Sequence, residues 1–241
     1  NVFDASSMIY DYDGEVYDES GNQDVIQPVR FTGKIPESIE KGHMSVRIRE
    51  EMPVRSVVKH EDVTILDFGQ NFAGIICINP EKMQGGYLKL RHGEILNADG
   101  SLYTTNLRKA KAEIVYHRGS NSYRPRFTYM GFRYVELSGT EYTDGLLSAY
   151  AIYSDMERSG DFTCENRLVD QLYRNQVWGQ KSNYIEVPTD CPQRDERMGY
   201  TGDGHVFAQT GAYNFNTESF WAKFLKDIYY SQAANKEGYV A

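Results

Sequence analysis

Leu147-Ser148-Ala149-Tyr150-Ala151-Ile152-Tyr153, followed after a polar stretch by Leu168-Val169-Asp170-Gln171-Leu172-Tyr173, marks where the chain changes its hydrophobic period. The first run is short, aromatic and β-prone, and reads as a strand. In the second, Leu168/Leu172 and Val169/Tyr173/Val177 recur every four residues, which lines them along one side of a helix. No single all-helical or all-β domain produces both patterns. A domain boundary is therefore expected between Asp155 and Asp161.

Upstream, from about Val54, similar runs are bounded by Gly, Asp, Asn and Pro, the pattern of an all-β domain. Strands are predicted at Val63 to Phe68, Gly74 to Ile78, Tyr87 to His92, Ala112 to Tyr116, Phe132 to Leu137 and Leu147 to Tyr153, with Asp99-Gly100 among the turn signals. Residues 1–53 read as one ragged strand, Tyr10 to Tyr17 with a turn signal at Asp13-Gly14, plus connections from a preceding domain. Downstream, Phe220/Phe224/Ile228 and Trp221/Leu225/Tyr229 predict a helix capped by Asn216 or Thr217, with Glu218 in its first turn. A shorter helix is expected at Val206 to Tyr213. Three helices cannot close a core of their own, so they must lean on the β domain or on further helices.

At 241 residues the chain is long enough to bury a core without disulfides. Its formal net charge of −8, with both signs interspersed, argues against nucleic acid as a partner. No apolar run reaches the length of a membrane span. The three cysteines, Cys77, Cys164 and Cys191, fit neither a zinc site nor a disulfide framework. With 19 Tyr and 11 Phe the chain is rich in rings, which pack cores and also face the C–H surfaces of sugars. The N-terminal residues lack the order of a signal peptide, so the compartment, bacterial cytoplasm or periplasm, is left open.

The chemistry concentrates between the helices. Asp190-Cys191-Pro192-Gln193-Arg194-Asp195-Glu196-Arg197-Met198-Gly199-Tyr200-Thr201-Gly202-Asp203 holds four carboxylates and two arginines in fourteen residues. Crowded carboxylates raise one another's pKa, and a glycosidase needs one carboxylic acid still protonated near neutral pH. The same composition also suits a solvated, salt-bridged helix connection. A Ca²⁺ loop is a third reading, but the acidic spacing and turn glycine of an EF-hand are missing.

The string from Asp190 to Arg197, followed by Gly199, Gly202 and Asp203, closely resembles the signature of α-L-rhamnosidases of glycoside hydrolase family 78. Asp67-Phe68-Gly69-Gln70-Asn71, Arg91-His92-Gly93-Glu94-Ile95-Leu96, Asn106-Leu107-Arg108 and the stretch from Pro125 to Val135 resemble landmarks of that family's β domain. The resemblance implies an antiparallel β-sandwich (54–159) followed by the first helices of an incomplete six-hairpin (α/α) barrel (160–241), with residues 1–53 the tail of a preceding β domain and linker. It implies an inverting glycosidase removing terminal α-L-rhamnose, with Glu196 as general acid and the base outside the chain. Asp190 and Asp203 match carboxylates lining the rhamnose subsite, and Arg194, Asp195 and Tyr200 are further candidates to bind substrate. Tyr200 departs from the family's usual Trp, offering a smaller apolar wall. No metal or cofactor is implied. Expected partners are rhamnose-containing glycosides or polysaccharides, with self-association through exposed helix residues Phe220, Trp221, Phe224 and Ile228. The alternative is a β-sandwich that holds carbohydrate without cutting it.

Overall fold

Among the described residues the strands of the main sheet end at residue 154, and the α-helices begin at 167. The computed structural model describes residues 6–8, 13–19, 33 and 44–238, so most of the stretch read as a ragged strand and linker lies outside the described residues. Among those described, the strands of the main sheet are β1 (Ser6–Met8), β2 (Gly14–Tyr17), β3 (Val46–Met52), β4 (Ser56–His60), β5 (Val63–Ile78), β6 (Tyr87–Gly93), β7 (Glu113–His117), β8 (Met130–Ser138) and β9 (Leu147–Ser154). They form one sheet in the order β1-β2-β7-β6-β8-β5-β9-β3, with β4 paired to β5. The expected antiparallel sandwich is therefore one curled, mixed sheet, antiparallel except where β2 runs beside β7.

Two runs predicted as separate strands merge into β5. Between Asp67 and Phe72 its register against β8 shifts, because the four residues 68–71 stand opposite the single residue Arg133, between Tyr134 and Phe132. Such an insertion bends and twists a strand. Gly69 takes φ +75° there, and a Cβ would lie 2.9 Å from the Arg55 side chain. Asp67 locks the bend: it accepts from the Gly69 amide at 2.6 Å and from Arg133 through both oxygens at 2.8 Å. The bend lets one strand pair with β4 and β8 at its start and with β8 and β9 at its end.

Inside the curl, Phe68, Phe72 and Phe132 meet with centroids 4.5–6.2 Å apart, over Leu66, Leu88, Leu90 and Val135. Each buried ring contributes about 1.5–3 kcal/mol. His92 is buried among them, 4.9 Å edge-on to Phe132, with Nδ1 2.7 Å from the Ala112 carbonyl.

The helices are α1 (Arg167–Asn183), α2 (Thr201–Asn214) and α3 (Glu218–Ala234). Asn166 caps α1 by accepting from the Leu168 and Val169 amides. Thr217 occupies the N-cap of α3, while the Asn216 side chain takes the Glu218 amide at 3.3 Å. The middle helix begins at Thr201, earlier than predicted. A second core joins the helices: Tyr184 stacks on Phe220 at 4.4 Å, beside Met156 and Phe215. This corrects the expected apolar patch, since Phe220 and Phe224 are buried and the exposed large apolar residues of α3 are Leu225, Tyr229 and Tyr230. On α1 the predicted apolar side is open, with Leu168 82% exposed. Among the described residues no helix is long and apolar enough to cross a membrane.

Candidate active site

The polypeptide leaves α1 through a minimal hairpin, β10 (Tyr184–Ile185) and β11 (Val187–Pro188), which turns at Glu186 with φ 65°. Thr189 fastens the exit by donating its amide to the Asn183 carbonyl at 2.8 Å. From there to Tyr200 the chain bends back on itself, with the Asp190 amide donating to the Met198 carbonyl at 3.1 Å, and lies against the β domain. Gly131 of β8 makes the close approach possible, because a Cβ would come within 2.8 Å of Pro192. Arg197 clamps the far end: Nη1 donates to the Tyr129 carbonyl at 2.6 Å and its guanidinium lies 4.9 Å from that ring's centre. The Arg197 backbone has φ 56°, a conformation held by surrounding contacts and costly for a side-chain-bearing residue.

Within this loop Arg194 bridges two carboxylates. Its Nη2 donates to Asp190 Oδ2 at 3.0 Å and its Nε to Glu196 Oε2 at 2.9 Å. A second guanidinium reaches the same oxygen from the β domain, with Arg108 Nη1 2.7 Å from Glu196 Oε2. Asp190 Oδ1 accepts the Met198 amide at 3.0 Å, closing the loop on itself. Behind Arg194 lies Glu94, whose oxygens accept from Asn71 at 2.7 Å and Asn106 at 2.8 Å.

Burial alone would raise the Asp190 carboxyl, but the Cys191 thiol, the Met198 amide and Arg194 outweigh it and hold it below the usual carboxylate range. Asp190 is therefore an anion at neutral pH, an acceptor for hydroxyl groups. Glu94 goes the other way: burial pushes it up, opposed by its two amide partners and by the charge of Arg194. Burial and the charges of Glu196 and Asp190 push the Tyr200 hydroxyl up, so it remains a donor. The arrangement offers one carboxyl with a pinned oxygen, one fixed anion and two guanidiniums, a set suited to polyol recognition and proton transfer.

Of the predicted residues, Asp190, Arg194, Glu196 and Tyr200 come together here. Asp203 sits instead in the first turn of α2, lining a cavity of about 250 Å³ between α1 and α2 with Gln176, Thr189 and Phe207. Asp195 turns inward, with Oδ1 buried and without a hydrogen-bond partner. Ligand atoms of Asp190, Cys191 and Glu196 fall within 4.8 Å of one another. A cation there would compete with Arg108 and Arg194 for both carboxylates, and burial together with the Asp190 charge keeps the Cys191 thiol protonated. Arg108 and Glu94 were legible in the sequence only as parts of β-domain landmarks. Nothing in their local spacing aims them at a loop 88 residues further on.

Comparison with known proteins gives matches over both halves. Residues 58–153 match the bacterial alpha-L-rhamnosidase concanavalin-like domain, and residues 157–240 match the bacterial alpha-L-rhamnosidase 6 hairpin glycosidase domain. An alpha-L-rhamnosidase of Formosa agariphila is 35% identical over 93% of the chain, which covers 26% of that protein. Among solved structures, the alpha-L-rhamnosidase from Dictyoglumus thermophilum superposes with a TM-score of 0.84 at 32% identity, over 100% of this chain and 29% of its own. The Streptomyces avermitilis alpha-L-rhamnosidase complexed with L-rhamnose has a TM-score of 0.75 at 37% identity, over 80% of this chain and 19% of its own. The chain thus spans 18–27% of the length of the curated relatives it matches.

Proposed function

The chain belongs to the bacterial α-L-rhamnosidase family, and from that premise we propose that it supplies the acid side of a site that removes terminal α-L-rhamnose from glycosides with inversion of configuration. The observation that carries this reading is the convergence of Asp190, Arg194 and Glu196 on one loop held between the two domains. Glu196 is the general acid. It passes a proton to the glycosidic oxygen as the bond from that oxygen to the sugar's C1 breaks and the leaving oxygen keeps the electron pair. Water then attacks C1 from the opposite face, losing its proton to a carboxylate base. In inverting enzymes acid and base stand roughly 6.5–9.5 Å apart, leaving room for that water. We place the base outside this chain, in the remainder of a six-hairpin (α/α) barrel begun by α1, α2 and α3.

Asp190 and Arg194 bind sugar hydroxyls in this scheme, and Tyr200 supplies an apolar wall and a donor. Asp203 forms the floor of the cavity between α1 and α2. Asp195 supports the loop from behind and reaches substrate only if the loop shifts. The division at 1–53, 54–159 and 160–241 is part of the same proposal, with β2 and β3 extending the β domain's sheet from the first segment. Partners are rhamnose-containing glycosides or polysaccharides. Self-association would run through Leu168, Leu172, Leu225 and Tyr229, which are among the apolar helix residues left exposed.

The test is stereochemical. Proton NMR of the intact enzyme acting on an α-L-rhamnoside should show β-L-rhamnose as the first anomer, before mutarotation. First appearance of the α-anomer would rule out inversion, and absence of hydrolysis would favour a carbohydrate-binding role.

A further inference from the structure

We propose that Arg108, from the β domain, is a positioning residue for Glu196: it and Arg194 hold oxygen Oε2 between two guanidiniums, so that Oε1 carries the proton given to the leaving group. The inference rests on the acid role proposed for Glu196 and deepens it. Both contacts are short, 2.7 Å from Arg108 and 2.9 Å from Arg194, and both fall on Oε2. A guanidinium has no proton acceptor, so an oxygen facing two of them is a poor place for a proton. Proton transfer leaves a full negative charge on the carboxylate. That charge develops where the two cations already stand, which lowers the barrier without reorganisation.

The β domain holds Arg108 for this purpose. The short turn Thr105–Leu107 ends at Arg108, whose backbone has φ 56° and ψ −111°, a region sparsely populated by side-chain-bearing residues. Buried Leu107 and the bond from Ala110 N–H to the Leu107 carbonyl, 3.0 Å, anchor it on one side. On the other, Asn106 donates to Glu94, which also takes Asn71 of β5. Glu94 therefore braces both arginines, bonding the turn that carries Arg108 and attracting Arg194 by charge. The charged and titratable groups facing Glu196 are Arg108, Arg194, Tyr200 and, beyond Arg194, Asp190, Cys191 and Glu94.

The experiment compares Arg108→Ala, Arg108→Lys and Glu196→Gln in the intact enzyme, on an unactivated alkyl rhamnoside and on an aryl rhamnoside with an activated leaving group. Removing Arg108 should lower kcat for the alkyl substrate ~10–10²-fold, a part of the ~10²–10⁴-fold that general acid catalysis supplies, with KM little changed and the aryl substrate nearly unaffected. Arg108→Lys should recover part of the rate, and added ethylguanidinium should rescue Arg108→Ala. Equal losses on both substrates with no rescue, or no loss at all, would overturn the positioning role. Failure of the acid reading itself looks different: Glu196→Gln would then turn over the alkyl substrate at the native rate.

Discussion

Asp190 and Glu196 share Arg194, and substitutions should separate the different roles proposed for them. Asp190→Asn removes a fixed anion that also takes the Met198 amide, so kcat/KM should fall ~10–10³-fold for activated and unactivated rhamnosides alike. A loss confined to poor leaving groups would assign Asp190 to proton transfer instead. Burial, partly offset by the Ala112 carbonyl, pushes His92 down from 6.5 to about 4. The neutral ring therefore stabilises the fold fully above pH 6.5, and that contribution is lost as pH falls toward 4, roughly 3 kcal/mol in total. Asp67 and Asp190, held low by their partners, give up their contributions only further down, through the carboxylate range. His92→Phe should flatten the decline of urea stability between pH 6.5 and 4.5. An unchanged slope would place the proton uptake elsewhere.

Among the elements, β8 and the loop from Thr189 to Tyr200 meet at Gly131, where a methyl group would strike Pro192 and Gln193. Gly131→Ala should cost about 1–3 kcal/mol or displace the loop, and in either case should lower rhamnosidase activity more than Gly86→Ala, which has open space. Equal activity in the two variants would show that the loop is not registered by this contact. The predicted runs at Tyr87, Phe132 and Leu147 became β6, β8 and β9 nearly residue for residue, because each buries alternate side chains in one core. β3 and β4 escaped prediction: Arg47, Arg49, Glu51 and Lys59 face solvent and mask the alternation. The bend at Gly69 split β5 in the sequence pattern, and the parallel pairing of β2 with β7 depends on residues some 99 apart, beyond the reach of local periodicity. Of the candidate site, the loop's carboxylates and Arg194 were legible from composition and motif. The contribution of Arg108 was not, since it arises only when a β-domain turn is folded onto a later loop.

At the scale of the molecule, the helices bury Phe220 and Phe224 but leave Leu168, Leu172, Val206, Leu225 and Tyr229 exposed. These 241 residues alone should therefore associate as concentration rises, which sedimentation velocity would detect, and substituting Leu168 and Leu225 by Lys should suppress it. A monomer at all concentrations would show that these side chains do not form a cohesive surface. The same residues alone should not hydrolyse rhamnosides at a rate near that of the intact enzyme, because inversion needs a base on the opposite face of the sugar. The proposed mechanism turns on Glu196, on a loop shared by both domains, as the proton donor. Its most direct test is Glu196→Gln in the intact enzyme, assayed on rhamnosides whose leaving groups span a wide range of acidity. Losses of ~10²–10⁴-fold are expected for poor leaving groups, shrinking steadily as the leaving group needs less protonation; the same loss across the whole series, or none, would show that Glu196 is not the acid.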